Sequence, residues 1–255
     1  MATTVPRLEG PRLKIKRAND HIQDMHKRVV EFFKTHPYEV FTEADLSGER
    51  ETLKVKLNAS PPNEISIIVA EAIYHLRSSL DQLTCELAKA NGVTDTSKTY
   101  FPFAKDENDF NTKSVQNKIK MLHPDAISML SDLKPYRGGN DLLWILGPLA
   151  NIDKHREIIS IGSGRYGHEI KLLMHFEAGD VIQLPDPEWQ PLDRERTLLT
   201  YPAGRKTYSR EINLITDVAF REIEFLENKP LIPILRHLSD LTNEIIDIFE
   251  NRFFN

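Results

Sequence analysis

Two segments place ionisable side chains where an apolar helix face belongs. Between Glu64 and Asn91 the residues Val69, Ile73, Leu76, Leu80, Leu83 and Leu87 recur at three- and four-residue steps, the spacing of a buried helical stripe. At about 100° per residue, Arg77 falls roughly 40° from Ile73, inside that stripe, with Asp81 one turn later at its edge. A second stripe, Leu142, Ile145, Leu146, Leu149 and Ile152, encloses Asp153 and Arg156, and His155 lies beside Ile152. An unpaired charge is costly to bury, so such groups either pair with one another or line a pocket open to water. Pairing of Arg77 with Asp153, or of Asp81 with Arg156, would make a salt-bridge network that sets the register of two packed helices. A pocket would instead let Arg77 bind an anion, with Asp81, Asn151, Asp153, Lys154 and Arg156 as further ligand-binding groups. His155, titrating near neutrality, would be available for proton transfer.

The elements that must hold these residues follow from periodicity. Ile22, Met25, Val29, Phe32 and Phe33 mark an amphipathic helix over about 11–34, ended by His36-Pro37. Residues 38–43 and 52–58 read as a β-hairpin turning at Leu46-Ser-Gly-Glu49. The helix bearing Arg77 starts at Asn63 as N-cap and stops at Gly92 as the left-handed C′ residue. Shorter helices are expected near 107–121 and 124–132, and a longer one over 141–157 kinked by Pro148. Segments 158–161, 168–176 and 181–184 are β-like, with Gly-rich turns at 162–167 and 178–180, and 211–227 reads as a strand pair or one long bent strand. Leu231, Ile234, Leu235, Leu238, Leu241, Ile245, Ile248 and Phe249 stripe a C-terminal helix. The fold class expected is α+β: a bundle of about four long helices, with its helical core over 62–157 and a C-terminal helix over 231–253, and an antiparallel meander drawn from 38–58 and 158–227 packed beside it as one domain.

Two further motifs yield to simpler readings. Gly162-Ser-Gly164-Arg-Tyr-Gly167 matches the G-x-G-x-x-G of dinucleotide-binding turns, but that site needs a helix next, whereas Ile170, Leu172, Met174 and Phe176 alternate at period two. A hairpin turn is expected instead. Arg137-Gly-Gly-Asn-Asp141 could cradle an anion at a helix start, yet Asn140 or Asp141 acting as N-cap accounts for it. The nine histidines form no H-E-x-x-H and no Cys/His cluster, so neither a metal nor another cofactor is expected.

Composition narrows the class. With 33 basic against 38 acidic residues, the net charge of −5 gives no global footprint for nonspecific DNA binding. The single cysteine, Cys85, excludes an intramolecular disulfide, and the N-terminus lacks an apolar export segment. No stretch approaches the roughly 20 apolar residues of a membrane span. A cytoplasmic protein that does not enter membranes is expected.

The segments Leu76-Arg-Ser-Ser-Leu-Asp-Gln82, Tyr100-Phe-Pro-Phe103 and Asn151-Ile-Asp-Lys-His-Arg156 together resemble a widespread family of uncharacterised bacterial proteins carrying L-R-S-x-L-D, F-P-[FI] and N-x-D-K-H-R, over roughly residues 64–160. Many members carry His after the L-D, giving R-x4-H, which is similar to the signature of the HEPN superfamily of helical RNases and nucleotide-binding modules. That resemblance implies a homodimer, with RNA or a nucleotide as partner and metal-free chemistry by Arg and His. Here Gln82 stands in place of that His, and Gln is neither a general acid nor a base. The expectation is therefore a noncatalytic HEPN-like module that binds an anionic ligand or a protein partner between two helices. The alternatives are a toxin- or defence-type RNase using Arg77 for phosphorane charge and His155 for proton transfer, and a purely structural role for the salt-bridge network.

Overall fold

The computed structural model describes residues 8–155, 161–175, 177–184, 190–192, 194–205, 207–221, 225–227 and 229–254, apart from the side chains of 152–155 and of some strand residues. The fold is α+β. It divides into two compact units, one of Met1–Met25, Ser66–Ile159 and Ile232–Asn255, the other of His26–Ile65 and Ser160–Leu231.

The first unit is helical. Its long elements are α1 (Glu9–Lys34), α2 (Asn63–Ala90) and α8 (Leu231–Phe253), with α1 and α2 contributing residues to both units. Their apolar stripes are buried as the spacing requires: Ile15, Ile22 and Met25 on α1, Ile73, Leu76, Leu80 and Leu83 on α2, Leu235, Leu238 and Phe249 on α8. Polar contacts fix the packing. The buried Ser79 hydroxyl of α2 donates to the Pro11 carbonyl of α1 at 2.9 Å, Ser239 of α8 donates to Asn19 at 2.7 Å, and Arg12 pairs with Asp247 at 2.7 Å and with Glu250. Helix α2 ends as its glycine requires. Gly92 has φ +84°, and the N–H groups of Gly92 and Val93 donate to the carbonyls of Lys89 and Ala88, closing a Schellman motif.

Between α2 and α8 lie α3 (Glu107–Phe110), α4 (Lys113–Gln116), α5 (Pro124–Asp132), α6 (Asp141–Trp144) and α7 (Leu146–His155). The helix expected over 141–157 is thus two pieces, because the Pro148 ring would collide with the carbonyl four residues earlier, that of Trp144, in a continuous helix. Asn140 caps α6 by accepting from the Leu143 N–H at 3.0 Å, and Gly138 N–H donates to Asp141 at 2.8 Å. The loop's other backbone donors, the N–H groups of Arg137, Gly139 and Asn140, go to the carbonyls of Lys105, Tyr136 and Lys134. No described helix is long and apolar enough to cross a membrane.

The second unit carries two antiparallel three-stranded sheets. One, in the order β1-β2-β5, joins the expected hairpin β1 (Tyr38–Ala44) and β2 (Arg50–Leu57) to β5 (Arg196–Pro202); the other, in the order β4-β3-β6, is formed by β3 (Ile161–Met174), β4 (Gln190–Pro191) and β6 (Thr207–Phe220). Leu53, Val55, Met174, Leu192, Leu198, Leu199 and Tyr201 form the core between them. The strands are antiparallel as expected, and one expected turn is corrected. Residues 162–167 are not a turn but the interior of β3, where Gly162 and Gly164 stand opposite Ala219 and Asp217 of β6. The register shifts between Arg165 and Gly167, so the glycines mark a bulge in a continuous strand rather than its end. Of 181–184, only Gln183 makes an isolated bridge, to Thr200. The turn at 178–180 does form, with Gly179 at φ +96°. Residues 158–160 and Phe176 lie outside those described.

Candidate anion site at Arg77

Arg77 and Asp81 are one helical turn apart on α2, with side chains 21% and 26% exposed and the Arg77 Nε 3.8 Å from an Asp81 oxygen. The guanidinium then leaves its own helix. Its Nη1 donates to the Gly147 carbonyl of α7 at 2.9 Å and to the Asn151 side chain at 3.3 Å, and its carbon lies 5.4 Å from the centre of the Phe103 ring. Asp81 turns its other oxygen to the loop before α3, accepting from the Phe101 N–H at 2.9 Å. The three motif segments therefore meet around Arg77 and Asp81: the arginine reaches the third, and both residues grip the Phe-Pro-Phe loop.

Lys118, in the turn after α4, completes the cluster. Its ammonium donates to the Phe103 carbonyl at 3.1 Å. Burial holds its pKa below that of an ordinary lysine, and the Arg77 charge lowers it further, against the opposing pull of Asp109 and Asp81. One phenylalanine thus carries an arginine on its ring and a lysine on its carbonyl, and the carboxylates of Asp109 and Asp81 act on the lysine. Gly147 lies against Phe103, where a Cβ would meet the Phe103 Cβ and Cγ at 3.4 Å, an ordinary contact.

The nearby Cys85 does not suit nucleophilic work. Its thiol sits 3.6 Å from the Thr99 carbonyl, and burial foremost pushes its pKa up, away from thiolate. Gln82 lies on another side of α2: its Oε1 occupies the space beside Gly10 of α1, 2.9 Å from where a Cβ would stand. Among the described residues the cluster offers electrostatic binding.

Of the residues expected from sequence, Arg77, Asp81 and Asn151 come together. The backbones of Asp153, Lys154 and His155 continue α7 beyond Asn151, while their side chains, and Arg156 entirely, lie outside the described residues; the pairings Arg77 with Asp153 and Asp81 with Arg156 fall there too. Sequence reasoning missed Phe103, Lys118 and Gly147 as members of the site. Only the Phe-Pro-Phe motif pointed to one of them, since Lys118 sits on an irregular turn and Gly147 contributes a backbone carbonyl. Among the described residues no group of three or more His, Cys, Asp or Glu is placed to hold a metal ion. No family model matches the chain, and no curated protein or solved structure matches it either.

Proposed function

We propose that the chain is a noncatalytic HEPN-like module that binds an anionic ligand, RNA or a nucleotide, at the Arg77 cluster. The observation that carries this is the convergence of two cations, Arg77 and Lys118, on Phe103, with Asp81 paired to Arg77. Packing alone is served at lower cost by balanced pairs or apolar groups. An ammonium partly buried beside a guanidinium is stabilised when a phosphate arrives, and the aromatic ring supplies a surface for a base. Absence of catalysis fits the direction of Gln82, which faces Gly10 rather than Arg77. Association as a homodimer belongs to the same reading, and Ile67 and Tyr74, seven residues apart on α2 and both exposed, give it an apolar face.

The test is a panel of labelled single-stranded RNAs incubated with purified protein in chelator, with binding and strand length read from the same samples. Retention of intact RNA, weakened by Arg77→Lys, which keeps the charge but loses the forked geometry, is the expected result. Shortened RNA would make the chain an enzyme, and no binding by the folded protein would leave the cluster a structural network.

A further inference from the structure

In the second unit the inner face of the β1-β2-β5 sheet turns from apolar to polar along its strands. Leu53 of β2 and Leu199 of β5 pair with one another and are buried in the core. Because side chains alternate along a strand, the row two residues on, Ala44, Glu51 and Tyr201, stands on that same face. There a polar cavity of about 660 Å³ opens, with Thr42, Ala44, Glu51 and Tyr201 on one side and residues 207–210 of β6 on the other. Ile212 and Leu214 of β6 pack on the core, so Arg210, two residues before Ile212, turns inward as well. Its Nη1 donates to the Thr42 hydroxyl at 3.1 Å.

The register of β6 supplies a second, independent observation. Leu173 of β3 pairs with Ser209 and Met174 with Thr207, so Tyr208 is an extra residue with nothing opposite it. A bulge of this kind re-aims the side chains around it. Here it puts Thr207, opposite the core residue Met174, on the inner side with Arg210, and it sets Tyr208, 59% exposed, on the wall of the cavity. At the floor, the Tyr201 hydroxyl bonds the Glu51 side chain and holds its carboxylate in place. Burial foremost, then Glu51, push the Tyr201 pKa up, so the phenol keeps its proton at neutral pH.

We infer that this recess binds an uncharged polyhydroxylated ring, a mono- or disaccharide, with Glu51 and Arg210 on its hydroxyls and Tyr208 against its C–H face. A sugar hydroxyl both donates and accepts, so neighbouring hydroxyls suit a carboxylate acceptor placed near a guanidinium, whose five N–H donors exceed the one bond given to Thr42. The two charges also set the sign of the ligand. A free anion would meet Glu51 and a free cation Arg210, each repelled, whereas a neutral ligand meets neither penalty. The body of a tyrosine is apolar and its tip polar, which lets Tyr208 cover C–H groups while its hydroxyl stays in water. The volume falls within the range of about 300–1,000 Å³ for small-molecule sites, and the open end of a β-sheet core is a position like the mouth of a β-barrel, where such sites recur.

Saturation-transfer difference NMR of the full chain with glucose, galactose, maltose and the acyclic polyol sorbitol tests this, with wild type beside Tyr208→Ala and Glu51→Gln and the folding of each checked by thermal unfolding. Transfer to the ring C–H protons of at least one cyclic sugar, stronger than to sorbitol, is expected from wild type. Affinity is expected to fall about tenfold in Tyr208→Ala and in Glu51→Gln. Should Glu51→Gln melt below wild type, Tyr208→Ala decides, since that side chain is exposed and its loss leaves the core intact. RNA binding at Arg77 is expected to be the same in all three proteins, so failure here and failure of the function proposed above are read separately. No transfer to any cyclic sugar at tens of millimolar, equal transfer to sorbitol, or equal affinity in wild type and folded Tyr208→Ala would overturn the inference.

Discussion

The helical unit and the β unit each bring an arginine into a polar recess, and they differ in how far the surrounding groups satisfy one another. At Arg77 the donors are spent inside the protein: the guanidinium on Gly147 and Asn151, the ammonium of Lys118 on Phe103, the Phe101 N–H on Asp81. What remains there is a half-buried lysine acted on by Arg77 and by the carboxylates of Asp109 and Asp81. In the β unit the buried hydroxyl of Ser163 has no partner in the protein. The first arrangement is an integrated network; the second leaves a hydrogen bond unmade.

Asp81→Ala should sharpen this contrast most. It removes the acceptor of the Phe101 N–H and the counter-charge of Arg77, so chemical denaturation should show a loss of about 2–3 kcal/mol, the range for hydrogen bonds to charged groups and their stranded partners. A loss below about 0.5 kcal/mol, the scale of an exposed ion pair, would mean that the cluster is not an integrated network. Next in size is Asn140→Ala, which deletes the N-cap of α6 and with it the support of the Arg137 to Asp141 loop; about 1 kcal/mol of stability should disappear in the same measurement. An unchanged midpoint would return that loop to consideration as an anion cradle. Ser163→Ala should move the other way, raising the stability of the ligand-free protein by up to about 1 kcal/mol, since a cost is removed rather than a bond. Destabilisation there would show that the hydroxyl has a partner in solution.

Mild acid should act on the helical unit through His75. His75 of α2 stacks on His21 of α1 with ring centres 5.5 Å apart, and its buried Nδ1 has no partner. Burial foremost, then Lys14, His21 and Arg17 on α1, hold its pKa below 6.5, while Glu71 one turn earlier on α2 opposes them. A histidine with a depressed folded pKa binds fewer protons folded than unfolded. Its neutral form therefore supports the fold above the unfolded value, and that support is lost as pH falls through about 6.5 toward the folded pKa. The unfolding midpoint should drop between about pH 7.5 and about pH 5, and His75→Gln should flatten the slope. Identical slopes in the two proteins would remove His75 from the account.

The two units also differ in how much of each could be read from residue order. Helical periodicity located α1, α2 and α8, placed Arg77 and Asp81 on the core face, and marked Gly92 and Asn140 as helix boundaries, because each of those signals is local. In the β unit the hairpin β1–β2 was legible from alternation and a Gly-bearing turn, but β3 was not. Its glycines carry the local signature of a turn, and what keeps them extended is pairing with β6, some fifty residues away. The sites divide in the same way. Arg77, Asp81 and Asn151 stand on helices whose faces can be calculated, whereas Lys118 on a turn and the Gly147 carbonyl reach the site only through tertiary packing.

The most direct measurement of the central claim is an anisotropy titration of fluorescently labelled single-stranded RNA, in chelator and at several salt concentrations, with wild type and Lys118→Gln. Lys118 bonds only a loop carbonyl among its described contacts, so its loss should leave the Arg77 network standing. Salt-dependent binding of uncleaved RNA that weakens about tenfold in the variant is the predicted result. Binding of equal strength in both proteins would contradict a ligand site built on the Arg77 and Lys118 pair.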